Sequence, residues 1–87
     1  MSYQIVIPKK VLKVLGDLPK RVQRKFSLLL LDLSEKGPVV NWPNFSKLGH
    51  DKYHCHLSYS WVACWQNEKG TVIIEVYYVG DRKDAPY

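Results

Sequence analysis

Hydrophobic positions change their period along this chain. Residues 3–7 alternate loosely and are rich in β-branched side chains, which predicts a first strand. Pro8 suits the first turn of a helix, and Val11, Leu12 and Leu15 form a short apolar stripe that Gly16 ends. Pro19 opens a second helix in which Val22, Phe26, Leu29, Leu30 and Leu33 recur at helical spacing, and Gly37-Pro38 closes it. The short link at residues 16–18 makes the two helices a hairpin. Residues 39–51 read as a loop with turn residues Asn41, Pro43, Asn44 and Gly49, and with room for a short strand at 46–48. Strands then follow at 53–58, 61–66 and 71–79, joined by links short enough for antiparallel hairpins. The predicted order is β-α-α-β-β-β: an α/β (α+β) fold with an antiparallel sheet packed against an N-terminal helical hairpin. It forms a single domain over residues 1–87, with Ile5, Ile7, Leu12, Leu15, Val22, Phe26, Leu29, Leu30, Leu33, Leu57, Val62, Cys64, Ile74 and Val76 as the expected core.

The period of two has a chemical consequence at 53–57. Successive strand side chains point to opposite faces. Tyr53, Cys55 and Leu57 can sit on an apolar face while His54 and His56 point together to the other. Histidine exchanges protons near neutral pH without perturbation, so two imidazoles on an outer sheet face are candidates for acid–base work. Arg82 and Lys83 follow the last strand and could bring positive charge to the same surface.

Charge sharpens this picture. Thirteen Lys and Arg oppose eight Asp and Glu, a formal charge of +5, which favours an anionic partner such as nucleic acid, an acidic protein or an anionic surface. Lys20, Arg21, Arg24 and Lys25 stand together on the second helix, either as an ordinary solvated face or as a contact for RNA backbone. No apolar run reaches the length of a membrane span and the N-terminus lacks a signal-peptide pattern, so a cytoplasmic protein without a membrane partner is expected. Cys55 and Cys64 are then expected as free, buried thiols, although adjacent strands would permit a cross-strand bridge. His50, His54, His56 and a cysteine are zinc-type ligands, but their spacing matches no usual zinc module, and no metal or other cofactor is expected. Trp61, Trp65, Tyr77 and Tyr78 are bulky enough either to fill a core or to stack on a base.

Several stretches carry a family resemblance. Leu48-Gly49-His50, Tyr53-His54-Cys55-His56-Leu57, Trp61-Val62-Ala63-Cys64-Trp65, Ile74-Glu75-Val76-Tyr77-Tyr78-Val79-Gly80 and Ala85-Pro86-Tyr87 resemble small toxins of the RelE/ParE superfamily. The element order is similar over the whole chain. The resemblance implies the toxin of a bacterial type II toxin–antitoxin pair, and an endoribonuclease that cuts messenger RNA at the ribosome without a metal. In that chemistry a 2′-hydroxyl attacks the adjacent phosphate, which needs a base, a cation for the phosphorane and an acid for the leaving oxygen. The resemblance carries the acid–base work to His54 and His56, phosphate stabilisation to Arg82, and positioning or proton donation to Tyr87. Lys20, Arg21, Arg24, Lys25, Lys47 and Lys83 are the candidate RNA contacts among the basic residues, and the resemblance implies a cognate antitoxin, messenger RNA and ribosomal RNA as partners. Several relatives carry an arginine in the turn that here reads Ser58-Tyr59-Ser60, so one expected cation is missing from that turn. Two other readings stay open: a ParE-like toxin that inhibits gyrase without cutting RNA, and an inactive regulatory homologue.

Overall fold

The computed structural model describes residues 2–87. Strand β1 (Gln4–Val6) leads into helices α1 (Lys9–Gly16) and α2 (Lys20–Lys36), followed by β2 (Ser46–Gly49), β3 (Lys52–His56), β4 (Trp61–Asn67), β5 (Ile73–Asp81) and a 3₁₀ turn at Arg82–Asp84. One sheet has the order β1-β5-β4-β3-β2. It is mixed rather than wholly antiparallel. The pairings β2–β3, β3–β4 and β4–β5 are antiparallel, but β1 runs parallel to β5, with Gln4 opposite Ile73 and Val6 opposite Glu75. The reason is topological: the helical hairpin carries the chain away from β1, and β1 returns to the sheet only as the far neighbour of the last strand.

Both helices start on a proline rather than a side-chain cap. The carbonyl of Pro8 accepts from the amides of Val11 and Leu12, and that of Pro19 from Val22 and Gln23, which closes each first turn. The Gln23 side chain donates to the Leu18 carbonyl at 2.8 Å and fastens the link between the helices. Along α2, Val22, Phe26, Leu29 and Leu33 are fully buried at alternating spacings of four and three, so one stripe faces the sheet. Leu28 and Leu31, off that stripe, stay exposed. In α1 the buried residue is Val11, whereas Leu12, expected in the core, is exposed because eight residues present only a narrow stripe to β5.

The helix-side core gathers Val22, Phe26, Leu29 and Leu33 against Tyr53, Cys55, Leu57, Ala63, Trp65, Ile74, Val76 and Val79. Phe45, Tyr53 and Trp65 stack with ring centroids 6.0–6.3 Å apart. The Trp65 indole donates to the Pro38 carbonyl at 3.0 Å, and that of Trp42 to Asp32 at 2.8 Å, so the loop leaving α2 is tied to both layers. Trp65 is fully buried and not available to stack on a base, while Trp61, on the same face, is half-buried against the core.

Val62 and Cys64 depart from the expected core. Both are fully buried, but they lie opposite His56 and His54 in the β3–β4 ladder and share the histidine face. Cys55, opposite Ala63, faces the helices. The two free thiols thus point to opposite sides of the sheet and cannot bridge. A bulge between Cys64 and Trp65 opposes Cys64 to Tyr78 and Trp65 to Val76, which leaves Tyr77 unpaired between them. Among the described residues no helix is long and apolar enough to cross a membrane.

Gly37 ends α2 at φ +92°, where the Tyr3 ring packs so closely that an added Cβ would lie 2.8 Å from Tyr3 Cζ. That ring accompanies the bond from the Tyr3 amide to the Ser34 carbonyl, which anchors β1. Gly37→Ala is expected to destabilise the fold by at least about 1 kcal/mol in urea unfolding, because strain and clash act together. Gly16→Ala, with nothing within 4 Å of its Cβ, serves as the control and should be neutral or stabilising by about 0.5–1 kcal/mol.

Candidate functional site

The histidine pair lies on the sheet face away from the helices, as alternation requires. It is not an open pair. His54 is only 8% exposed, because Tyr87 folds back over the sheet and places its ring 4.4 Å from the imidazole in an edge-on arrangement. The expectation of two outward-facing histidines is therefore corrected for His54. Its Nδ1 lies 2.9 Å from Ser46 Oγ, which comes from the directly opposed position on β2. His56 is 6.1 Å away between ring centroids, partly open, with its Nδ1 3.5 Å from Asn44 Nδ2. Asn44 reaches it because the His56 amide donates to the Pro43 carbonyl at 2.8 Å, and because asparagine tolerates the left-handed φ of +55° at this turn.

Arg82 arrives from another direction. Its amide donates to the Ser60 carbonyl at 2.8 Å, which docks the 3₁₀ turn onto the tip of the β3–β4 hairpin. Within the turn the Asp81 carboxylate accepts from the Lys83 amide at 2.8 Å, and the Tyr78 hydroxyl donates to the Asp81 carbonyl at 2.6 Å. The guanidinium is thus carried on a braced segment.

These pieces enclose an open groove of about 470 Å³ lined by Lys25, Pro43, Asn44, His56, Leu57, Ser58, Tyr59 and Arg82. Among the described residues the only ion pair joins Lys36 to Asp32, so neither Lys25 nor Arg82 has a carboxylate within 4 Å. Two uncompensated cations and an imidazole share one concavity.

The electrostatics follow from this packing. His56 titrates below its ordinary value of 6.5, first because burial disfavours the charged ring, then because His54 and Arg82 repel a second positive charge. The shift favours the neutral ring. Burial, and then Cys64, push the Tyr87 hydroxyl upward, while Arg82 pulls it back. Arg82 thus acts electrostatically on both His56 and Tyr87. Cys55 and Cys64 are pushed up to about 12 by burial, so both stay as thiols and neither is a nucleophile.

Not every expected residue converges here. Lys20, Arg21 and Arg24 are exposed on α2 and do not line the groove; Lys25 does. Lys47 lines a separate hollow with Gly49 and His50, and Lys83 is exposed beside Arg82 without entering the groove. The zinc-type set is not brought together: Cys55 faces away from both histidines, and among the described residues no three His, Cys, Asp or Glu side chains cluster. Ser46, Asn44 and Tyr59 were not read from the sequence as site residues. Register across β2 supplies Ser46, a turn supplies Asn44, and hairpin geometry supplies Tyr59; none leaves a periodic signal.

No protein-family model matches the chain, and a sequence search among curated proteins finds no match. Solved structures do match. A mutant of the Escherichia coli toxin RelE in the free state superposes with a TM-score of 0.77 at 21% identity, covering 98% of this chain and 88% of that one. A chain of the archaeal RelE–RelB complex from Pyrococcus horikoshii gives 0.76 at 22% identity, with 98% and 100% covered. One from the RelBE2 toxin–antitoxin complex of Mycobacterium tuberculosis gives 0.69 at 16% identity, with 94% and 100% covered. The chain has the RelE-like fold, two helices on a five-stranded mixed sheet.

The depressed His56 titration is directly measurable. An NMR titration of the imidazole resonances should place the His56 midpoint below 6.5, and Arg82→Ala should move it upward because one repelling charge is gone. A midpoint above 6.5, or one unmoved by Arg82→Ala, would contradict this electrostatic picture.

Proposed function

We propose that this protein is the toxin of a toxin–antitoxin pair and acts as a metal-independent endoribonuclease on messenger RNA at the ribosome, in the cytoplasm. The observation that carries this reading is the groove in which neutral His56 meets the unpaired cations Arg82 and Lys25. Cleavage by an RNA 2′-hydroxyl needs a base for that hydroxyl and positive charge at the phosphorane. His56 is the base. The neutral imidazole has one ring nitrogen with a free lone pair to take that proton, and Asn44 beside Nδ1 helps to hold the ring in place. Arg82 offers a planar fork of donors to the non-bridging phosphate oxygens.

His54 has a supporting role in this scheme. Buried against Tyr87 and bonded to Ser46, it orients the face and keeps His56 neutral rather than touching the reacting atoms. Tyr87 packs on His54 beside the groove rather than lining it, and its hydroxyl, protonated at neutral pH, is the proposed donor to the leaving 5′-oxygen. Lys25 answers the missing cation of the 58–60 turn: the positive charge comes from α2 instead of from the hairpin, which weighs against an inactive homologue. Lys20, Arg21, Arg24, Lys47 and Lys83 lie outside the groove and would touch ribosomal RNA backbone, where no base readout is needed.

The likeness to chains from RelE–RelB and RelBE2 complexes supports a protein antitoxin as partner. No observation favours the gyrase-directed alternative, since an imidazole between two cations is what phosphodiester chemistry uses.

The test is primer extension on ribosome-bound message. His56→Ala should slow cleavage by about 10²–10⁴-fold, the usual contribution of a general base. Arg82→Ala should be at least as damaging, with Arg82→Lys restoring part of the loss. Chelator should leave the wild-type rate unchanged. Full cleavage by His56→Ala, or loss of cleavage on chelation, would overturn the assignment.

A further inference from the structure

Among the described residues, Tyr59 is a large aromatic residue whose side chain makes no hydrogen bond and no ring contact in the fold. It is 93% exposed at the tip of the β3–β4 hairpin, yet it lines the same groove as Lys25, Asn44, His56 and Arg82. Its backbone is fixed: the Leu57 amide donates to the Trp61 carbonyl at 2.8 Å, the Trp61 amide to Ser58 at 3.3 Å, and the Arg82 amide to Ser60 at 2.8 Å. The braced tip fixes where the ring is anchored while leaving its face to solvent. The groove's other wall carries Pro43 and Asn44, and its volume falls within the usual range for sites that hold one small ligand.

We propose that Tyr59 is a base-stacking residue that holds the nucleotide next to the scissile phosphate, with Lys25 on that nucleotide's backbone. This rests on the ribonuclease reading and adds the substrate contact it lacks: His56 and Arg82 serve the phosphate, and neither grips a base. Aromatic stacking suits the position because every base has a face, so the contact tolerates any sequence. The Asn44 amide, on the same groove, can hydrogen-bond a base edge and would add only a mild preference.

The test uses a short single-stranded RNA carrying 2′-O-methyl groups, which cannot be cut, presented both free and on the ribosome. Affinity is read by fluorescence anisotropy for the wild type, Tyr59→Ala, Tyr59→Phe and Lys25→Ala. A matched RNA lacking the base at the adjacent position is the control. Tyr59→Ala is expected to weaken binding of the complete RNA by about 5- to 150-fold and to leave the abasic RNA unaffected, while Tyr59→Phe keeps full affinity. Thermal melts should match the wild type, since the ring is exposed. If the wild type binds and Tyr59→Ala binds equally well, the stacking role is wrong and the ribonuclease reading stands. If Tyr59→Ala loses affinity equally for the abasic RNA, the effect is not stacking and the proposal fails. Should the wild type bind neither presentation, both the stacking role and the ribonuclease reading fall together.

Discussion

The strict alternation of β3 against β4 governs this molecule. Tyr53, Cys55 and Leu57 must reach the helices to close the core, and once they do, His54 and His56 have no choice of face. The partner strand obeys the same rule. Ala63 and Trp65 join the core while Val62 and Cys64 form an apolar floor beneath the imidazoles. A slip of one residue would bury both histidines under α2 and turn Tyr53 and Leu57 to solvent. Apolar burial on one side of the sheet therefore holds the chemistry in place on the other.

The groove is assembled at the edge of that arrangement. Its members come from α2, from the turn before β2, from the end of β3 and the hairpin tip, and from the 3₁₀ turn after β5. The turn, hairpin and 3₁₀ segments are held by backbone hydrogen bonds rather than by ion pairing. The scarcity of carboxylates near Lys25 and Arg82 costs stability through mutual repulsion, which the neutral state of His56 relieves in part. In the proposed function, these unpaired cations are what an incoming phosphate meets.

Much of this was legible from periodicity. The helix boundaries at Pro8, Gly16, Pro19 and Gly37 hold, as does the shared face of the histidines, because local rules decide them. The direction of β1 was not legible: pairing with β5 rather than with a neighbour in sequence leaves no mark in a strand of three residues. Nor was the burial of His54, which depends on Tyr87 returning from the far end of the chain. Val62 and Cys64 read as core because they are apolar; only the ladder assigns them to the other face. Lys25 is indistinguishable by type from Lys20, Arg21 and Arg24, and only the angle at which α2 meets the sheet brings it alone into the groove.

The parallel pairing of β1 with β5 also governs the order in which the protein assembles. β1 is synthesised before the other described strands, but among the described residues its one strand partner is made after all of them. Until β5 emerges, the helical hairpin and β1 wait with apolar surface uncovered, and the loop to be closed spans most of the domain. Local pieces, the helix pair and the β3–β4 hairpin, can form early; the sheet closes only through this long-range contact. Arg82 follows β5 directly, so the cation enters the groove in the same late step that completes the sheet. Folding intermediates that lack β5 docking therefore carry His56 without Arg82 beside it, and the groove stays incomplete until the sheet closes.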